Sequence, residues 1–292
     1  MSARSAADRL AGVLSRSAVL VIIGLFLALA ITLLCKSAPA WWGSHLLGQV
    51  WSPERGRFGL LPFLAGSLAV SSLAMLLGTP ICLLAALYLS EYISPRWRER
   101  LRPPLDILAA IPSVVFGLFG VLFIVPFVLA LGRSLGLATS GYSLLAGALV
   151  LALMASPYIV SLVLEVLLAV PMEAREAAYS LGATQWETAR FVVLRQARSG
   201  ILAALVLGFA RAFGETLAVL MVVGNVARMP GSPLAPAYPL PALLANTYGE
   251  MMSIPKMDGV LLTAALMLMA VTGTVSFLAA LVLRRLHRER SC

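Results

Sequence analysis

Six long apolar runs, separated by short polar segments, constrain this chain more than any other feature. A bilayer hydrocarbon core about 30 Å thick needs about 20 predominantly apolar residues per helical span. Inside that core, only helices and closed barrels satisfy every backbone hydrogen-bonding group. The sequence therefore predicts an all-α integral membrane protein with six transmembrane helices. The predicted spans lie at about residues 17–34, 60–89, 105–131, 143–170, 200–224 and 259–283.

The composition excludes a soluble protein of two ordinary domains. Of the 292 residues, 60% are hydrophobic and 12% are charged, whereas a soluble domain has about 45–50% apolar and about 25% charged residues. We therefore expect one transmembrane domain over residues 1–292. The net charge of +9 would suit nucleic acid, but the arginines are spread between the apolar runs. The expected partner is thus the membrane and not nucleic acid.

The basic residues predict the orientation. Fifteen of the 22 Lys and Arg residues lie on the same side of the predicted spans as the N-terminus, and six lie on the other side. Since cytoplasmic loops carry an excess of Lys and Arg, we expect both termini in the cytoplasm.

No motif for ATP hydrolysis or metal catalysis is evident. Lys36 precedes a serine, but Cys35 stands where a phosphate-binding loop needs its second glycine, and the spacing of the two histidines excludes an HExxH site. We expect no cofactor, metal or catalytic residue in this chain. An enzymatic alternative rests on residues 132–136, which match GxSxG around Ser134. No strand precedes this segment, so chance in a glycine-rich connector explains the match better.

Proline-containing segments suggest bends and one long connection. The segment 225–258 is rich in proline and too polar to span, so we expect an irregular outer connector, with docking to an external partner as the alternative. Prolines inside the runs remove backbone donors and bend or break a helix. The prolines inside the runs are Pro80, Pro112, Pro126 and Pro157. They either kink helices for packing or line a pathway, and the sequence does not decide between the two.

The polar segment 173–199 carries signals for two short helices. Gly182, a usual helix-stopping residue, follows small or apolar residues at helical spacing: Ala174, Ala177, Ala178 and Leu181. Thr184 and Glu187 then have the spacing of a capping box. We expect two amphipathic helices with a tight turn at Gly182. Such a pair either presents Leu181 and Trp186 to a cytosolic partner or lies on the membrane surface.

Two charged residues, Arg211 and Glu215, lie within the fifth apolar run. A charge at the bilayer centre costs about 2.5–3.5 kcal/mol on insertion scales. Their spacing predicts that they share a helix face and pair. The pair either fixes helix register, or Arg211 donates to an anion, since its planar fork suits oxyanions. Small residues that would allow close helix contact lie beside them: Gly200, Ala204, Gly208, Ala212 and Thr216.

Three segments resemble one family. Glu176-Ala177-Ala178, then Gly182, then Val192-x-Leu194 resembles the EAA loop of ABC importer permeases, with Val192 in place of Ile and Arg195 in place of the usual Pro. Residues 211–225, RAFGETLAVLMVVGN, resemble the RALGETMAVLMVIGN segment of phosphate-specific permeases. Residues 111–120, IPSVVFGLFG, are similar to their IPSVVYGLFG. The resemblance is to C-type permease subunits of phosphate-specific (Pst) ABC transporters.

This resemblance implies a type I ABC importer permease fold in a bacterial inner membrane. It implies a heterodimer with an A-type permease, a cytosolic ATPase dimer that hydrolyses ATP with Mg, and an external phosphate-binding protein. The implied function is phosphate import by alternating access; the alternative is a sulfate or molybdate importer. Arg211, Glu215 and Ser113 are the implied pathway residues. The expected ATPase-coupling residues are Glu176, Ala177, Ala178, Gly182 and Trp186.

Overall fold

A computed structural model describes residues 2–41, 46–249 and 257–288. These residues form helices and one small antiparallel hairpin, whose strands pair Trp51 with Phe58. In chain order the elements are α1 (Ser2–Trp41), β1 (Trp51–Ser52), β2 (Arg57–Phe58), α2 (Leu61–Leu87), α3 (Pro95–Ala110), α4 (Ser113–Phe119), α5 (Val125–Ser134), α6 (Leu144–Leu168), α7 (Met172–Ser180), α8 (Gln185–Glu187), α9 (Leu194–Phe213), α10 (Leu217–Leu220), α11 (Leu240–Thr247) and α12 (Met257–Arg288).

π-helical turns extend three of the long helices without interrupting them. They lie at Tyr88–Tyr92 after α2, Gly120–Ile124 between α4 and α5, and Thr188–Val193 between α8 and α9. Six helical segments of the described chain are therefore long and apolar enough to cross a membrane: Ala11–Trp41, Leu61–Tyr92, Ser113–Ser134, Leu144–Leu168, Gln185–Phe213 and Met257–Leu278. The predicted number of spans and the all-α membrane class are confirmed.

The third span begins later than the predicted 105–131. The chain leaves the helical conformation at Ile111 and Pro112, whose ψ angles are 131° and 138°. A proline disfavours the helical conformation in the residue before it and cannot donate a backbone hydrogen bond. Residues 105–110 consequently belong to α3, and the apolar span starts at Ser113.

The fifth span also differs from the predicted 200–224, because the helix begins and ends earlier. It runs without interruption over Gln185–Phe213. Ala189 and Val193 are fully buried in a cluster with the C-terminal half of α6, and this packing extends the helix back toward α7, since tertiary contact stabilises helices more than propensity does. Gly214 caps the C-terminal end of the helix.

Helix α6 lies at the centre of the fold, with α2 and α9 packed along it. Gly208 of α9 approaches Ile159 of α6 so closely that an added methyl group would come within 2.8 Å of Ile159 Cγ1. Ala204 and Ala212, on the same ridge, are each 3% exposed. The small residues of α9 thus form the close helix contact that their spacing predicts.

The segment 225–258 differs from the expected irregular connector. Its described part includes α11, whose Leu240 and Leu243 are fully buried. The Leu240 backbone N–H donates to Ser67 Oγ of α2 at 2.8 Å. This segment therefore completes the core beside α2 rather than crossing the surface. Residues 250–256 of the same segment lie outside the described residues.

We expect Gly208→Ala to destabilise the protein relative to Gly24→Ala. Both changes raise helix propensity equally, but Gly24 has nothing within 4 Å of an added methyl group, whereas Gly208 faces the buried, β-branched Ile159. Overpacking of this kind costs about 1–3 kcal/mol. Thermal unfolding of the purified protein in detergent measures the difference. Equal melting temperatures for the two variants would contradict the close contact.

Candidate functional site

The polar segment after α6 folds as two helices with a tight turn. Gly182 has a φ of +82°, in the left-handed region that glycine adopts without strain. The Ala183 N–H donates to Ala178 O at 3.1 Å across the turn. Thr184 Oγ1 then accepts from the Glu187 N–H at 3.3 Å, and Glu187 Oε2 accepts from the Thr184 N–H at 2.8 Å. The predicted turn and capping box are both present.

The turn presents large apolar side chains to the outside of the chain. Leu181 is 89% exposed and Trp186 is 48% exposed. Glu176 and Ala177 of the EAA motif are also exposed, whereas Ala178 is buried. We name this surface, formed by Leu181 and Trp186, the apolar tip. Exposed apolar groups held on a rigid helix pair suit docking to another protein.

A buried ion pair lies directly behind the apolar tip. Arg175 of α7 donates from Nη2 to Glu91 Oε1 at 2.9 Å and from Nε to Glu91 Oε2 at 3.2 Å. The two side chains are only 10% and 4% exposed. Removing one partner of such a pair typically costs about 3–5 kcal/mol, because the other charge stays buried.

Further hydrogen bonds join this pair to the C-terminal end of α6 and to the start of α8. Arg175 also donates to the carbonyl oxygens of Leu167 at 3.0 Å and Val170 at 2.5 Å, at the C-terminal end of α6. Gln185 of α8 donates to the backbone oxygen of Glu91 at 2.6 Å. Side chains thereby donate to carbonyl groups at the ends of helices, where intrahelical donors are lacking; Leu167 O also accepts from the Val170 N–H at 3.3 Å. We name the group of Glu91, Arg175 and Gln185 the inner joint.

Sequence reasoning missed the inner joint. In the sequence, Arg175 is one of the fifteen basic residues on the side of the N-terminus, and Glu91 belongs to no motif. A single acidic residue at the end of an apolar run is a weak signal. Nothing in one sequence indicates that a carboxylate at the end of α2 meets an arginine 84 positions later.

Arg211 lies in the last turn of α9 and is exposed in this chain. Its guanidinium carbon stands 4.7 Å from the ring centroid of Tyr158 on α6, a cation–π contact. The helix ends at Phe213, so Glu215 lies beyond it and is half-buried. Among the described contacts Arg211 and Glu215 form no ion pair. The expected pairing on one helix face is therefore wrong, because the helix does not continue to Glu215.

Ser113, the third predicted pathway residue, is half-buried and begins α4. Helix α10, which follows the interruption of the helix at Gly214, packs on α4. A methyl group on Gly117 of α4 would lie 3.2 Å from Ala218 Cα of α10. Ser113 thus stands on the element that neighbours the broken part of the fifth span.

A cavity of about 880 Å³ borders the same break. Thr216 lines it, together with residues of α1, α11 and α12. Its polar wall groups include Lys36, Tyr248 and Asp258. Non-helical backbone at membrane depth is tolerated where it lines such a cavity or is buried in protein.

The alternative sites have ordinary structural surroundings. Ser134 ends α5 and donates from Oγ to the Leu131 carbonyl oxygen at 2.8 Å, a common bond for a serine at a helix end. Within the described ranges, no three His, Cys, Asp or Glu residues are grouped as metal ligands would be.

Comparison with known proteins gives a family match over most of the chain. Residues 78–288 match the family described as "Binding-protein-dependent transport system inner membrane component". The probable ABC transporter permease protein YqgH of Bacillus subtilis is 38% identical over 243 residues, covering 82% of this chain and 76% of that protein. The phosphate transport system permease protein PstC of Xylella fastidiosa is 34% identical over 267 residues, covering 84% and 80%.

A solved structure shares the fold. The structure described as inward-facing conformations of the MetNI methionine ABC transporter matches with a TM-score of 0.56 at 21% identity. The match covers 78% of this chain and 94% of that one. The type I importer permease fold expected from the sequence is confirmed.

We expect Gly182→Ala to loosen the turn between α7 and α8. An added methyl group meets nothing within 4 Å, so the cost is backbone strain of about 1–2 kcal/mol. Gly182→Asn is the matched control, because asparagine tolerates the left-handed region better. Hydrogen exchange at the Ala183 amide should accelerate about fivefold or more in the alanine variant. Identical exchange in both variants would contradict this account.

Proposed function

Because the chain belongs to the family of inner membrane components of binding-protein-dependent transport systems, we propose that it is the C-type permease subunit of a phosphate importer. The relative from Xylella fastidiosa carries a phosphate transport name, and residues 211–225 are of the phosphate type. The structural observation that carries the proposal is the state of Arg211, whose guanidinium lies over the Tyr158 ring, has no acceptor among the described residues and stands near a break in a membrane helix.

The contact with Tyr158 leaves the binding edge of Arg211 free. The guanidinium carbon lies over the Tyr158 ring, 4.7 Å from its centroid, and the N–H donors of the guanidinium lie in its own plane. No described residue accepts from them. A planar fork of this kind binds a tetrahedral oxyanion through two parallel hydrogen bonds. In the proposed pathway, Arg211 holds phosphate transiently and Ser113 offers a hydroxyl.

Glu215 suits release rather than binding. A carboxylate two residues past the end of α9 repels an anion, and it can form an ion pair with Arg211 when phosphate has left. This exchange needs movement of residues 214–216, which lie between α9 and α10 and where the Glu215 N–H donates to Ala212 O at 3.2 Å. Glu215 therefore keeps the residence of phosphate on Arg211 short.

The exposure of Arg211 supports a heterodimer. A charged side chain that faces lipid is costly, and such residues face a bundle interior or a water-filled space. Arg211 is exposed in the single chain, so a second permease subunit must enclose it. We propose that this subunit is the homologous A-type permease, and that an external phosphate-binding protein delivers the substrate to the pair.

The apolar tip supports the second partnership. Leu181 and Trp186 dock into a cytosolic ATPase dimer, with Glu176, Ala177 and Gly182 in the same contact region. ATP and Mg act in that ATPase, and this chain contributes no catalytic residue. ATP binding brings the two ATPase subunits together and opens the permease pair outward, and hydrolysis returns it to the inward-facing state. Both termini lie in the cytoplasm, as the distribution of basic residues favours.

Uptake of labelled phosphate at limiting concentration tests the substrate. Cells with and without this subunit are compared, with arsenate, sulfate and molybdate as competitors. Loss of an uptake for which only phosphate and arsenate compete supports the proposal. Unchanged phosphate uptake with loss of sulfate or molybdate uptake would keep the permease assignment and overturn the substrate.

We expect Arg211→Gln to lower phosphate uptake by at least about tenfold, since hydrogen bonds to charged groups contribute about 1.5–3 kcal/mol each. Arg211→Lys should retain partial uptake, because it keeps the charge but loses the fork. Arg102→Gln, the same change at an exposed arginine of α3, is the control. The amount of complex in the membrane is measured in parallel. Normal uptake in Arg211→Gln would exclude Arg211 from the pathway.

We expect the double variant Leu181→Ser, Trp186→Ser to lose the ATPase subunit without unfolding. Both side chains are exposed in the chain, and burying a large apolar side chain contributes about 1.5–3 kcal/mol, so binding should weaken at least tenfold. Trp97→Ser, at a tryptophan that is 58% exposed in α3, is the control. Co-purification of the ATPase gives the measurement. Full recovery of ATPase with the double variant would refute docking at the apolar tip.

A further inference from the structure

We propose that the ion pair between Glu91 and Arg175 transmits motion from the ATPase-docking segment to the transmembrane helices α2 and α6. Without this pair, ATP hydrolysis continues but does not drive transport. Glu91 and Arg175 are thus positioning residues of the transport cycle. The inference rests on the proposed docking of the ATPase at the apolar tip, and it concerns the opposite side of the same helix pair.

Helix α7 has a docking side and a fixed side. Leu181, after its last turn, is 89% exposed, while Arg175 is 8% exposed. A push or pull on the apolar tip therefore acts on a helix that is held from behind by Arg175. The geometry of the bonds that Arg175 makes therefore decides how a movement of α7 reaches the membrane helices.

The geometry of the pair fixes the relative orientation of the Arg175 and Glu91 side chains as well as the distance between them. Two separate N–H groups of Arg175 meet the two oxygens of the Glu91 carboxylate. Such a two-point contact resists rotation of one group against the other, which a single hydrogen bond does not. Ser90 Oγ donates to Glu91 Oε1 at 2.6 Å and restrains the carboxylate further.

The partners of Arg175 lie at the ends of α6 and α2, two helices that are far apart from each other in the chain. Its donation to Leu167 and Val170 joins α7 to the end of α6, which it follows directly in the chain. Its bonds to Glu91 join α7 to the end of α2, which precedes it by some 80 residues. Since α2 packs along α6 over much of its length, a movement of α7 that reaches both helix ends through the inner joint acts on them together.

Cohesion alone does not require charges at this place. An apolar cluster already holds the same helix ends together, and its fully buried or nearly buried members include Leu87 of α2, Leu167 of α6, Ala189 and Val193. Apolar residues of similar volume commonly hold helices at least as well as a buried ion pair. The pair adds directional stiffness, which apolar contacts lack because they are non-directional.

The test uses the whole complex, with its partner permease and ATPase, in liposomes that hold ATP inside, with labelled phosphate and the binding protein outside. Phosphate transported per ATP hydrolysed is the measured quantity. Glu91→Gln keeps the shape of the side chain and removes its charge, and Arg175→Lys keeps the charge and removes the fork. Glu99→Gln and Arg102→Lys, at exposed positions of α3, are the matched controls. Subunit composition and the melting temperature are measured for every variant.

We expect the ratio to fall about tenfold in Glu91→Gln and Arg175→Lys, the factor that one charge-assisted hydrogen bond contributes to an equilibrium. ATP hydrolysis and subunit composition should stay near those of the controls. The double variant should lose no more than either single variant, since both remove the same contact. An unchanged ratio would overturn the proposal, and so would loss of assembled complex or equal losses of uptake and hydrolysis, which assign the pair a structural role.

The controls also separate this inference from the proposed function. An unaltered complex that hydrolyses ATP but imports no phosphate would refute the proposed substrate. If the unaltered complex imports phosphate and the Glu91 and Arg175 variants transport as much phosphate per ATP hydrolysed, only the role of Glu91 and Arg175 is refuted.

Discussion

The need to satisfy every backbone N–H and C=O group without water governs this structure. It makes six helices the framework, and it limits where a helix can be interrupted. The break at Ile111–Pro112 separates the amphipathic α3 from the membrane-embedded α4. The break after Phe213 leaves residues 214–216 beside a cavity of about 880 Å³. Each interruption thus lies at an interface or a cavity, where polar backbone can find partners.

Charged side chains in this chain follow two opposite arrangements. Glu91 and Arg175 are buried, paired and further hydrogen-bonded within the chain. Arg211 and Glu215 are accessible and unpaired with each other among the described contacts. An unpaired charge in a membrane needs water, a ligand or a second subunit. The first pair is complete in one chain and fits the proposed mechanical role, whereas the exposure of Arg211 fits the proposed second permease subunit and the proposed contact with phosphate.

The sequence alone predicted features that depend on local chemistry. Six apolar runs, the turn at Gly182 and the capping box of Thr184 with Glu187 were all confirmed. It failed where distant contacts decide, as in the fifth span, which α6 extends toward α7 and which ends too soon to pair Arg211 with Glu215. The bond between Glu91 and Arg175 was not predictable for the same reason, because periodicity describes one helix and not its neighbours.

Helix α6 connects the two charged regions. Arg175 donates to the carbonyl groups of Leu167 and Val170 at its C-terminal end, and the Tyr158 ring on the same helix makes the cation–π contact with Arg211. Nine residues of helix separate Tyr158 from Leu167, which is about 14 Å at 1.5 Å per residue. Pro157 lies at the start of this stretch, where a missing backbone donor allows the helix to bend. In the proposed cycle, a movement that enters through the inner joint therefore reaches Tyr158 along the C-terminal part of α6 and shifts the position of the Arg211 guanidinium.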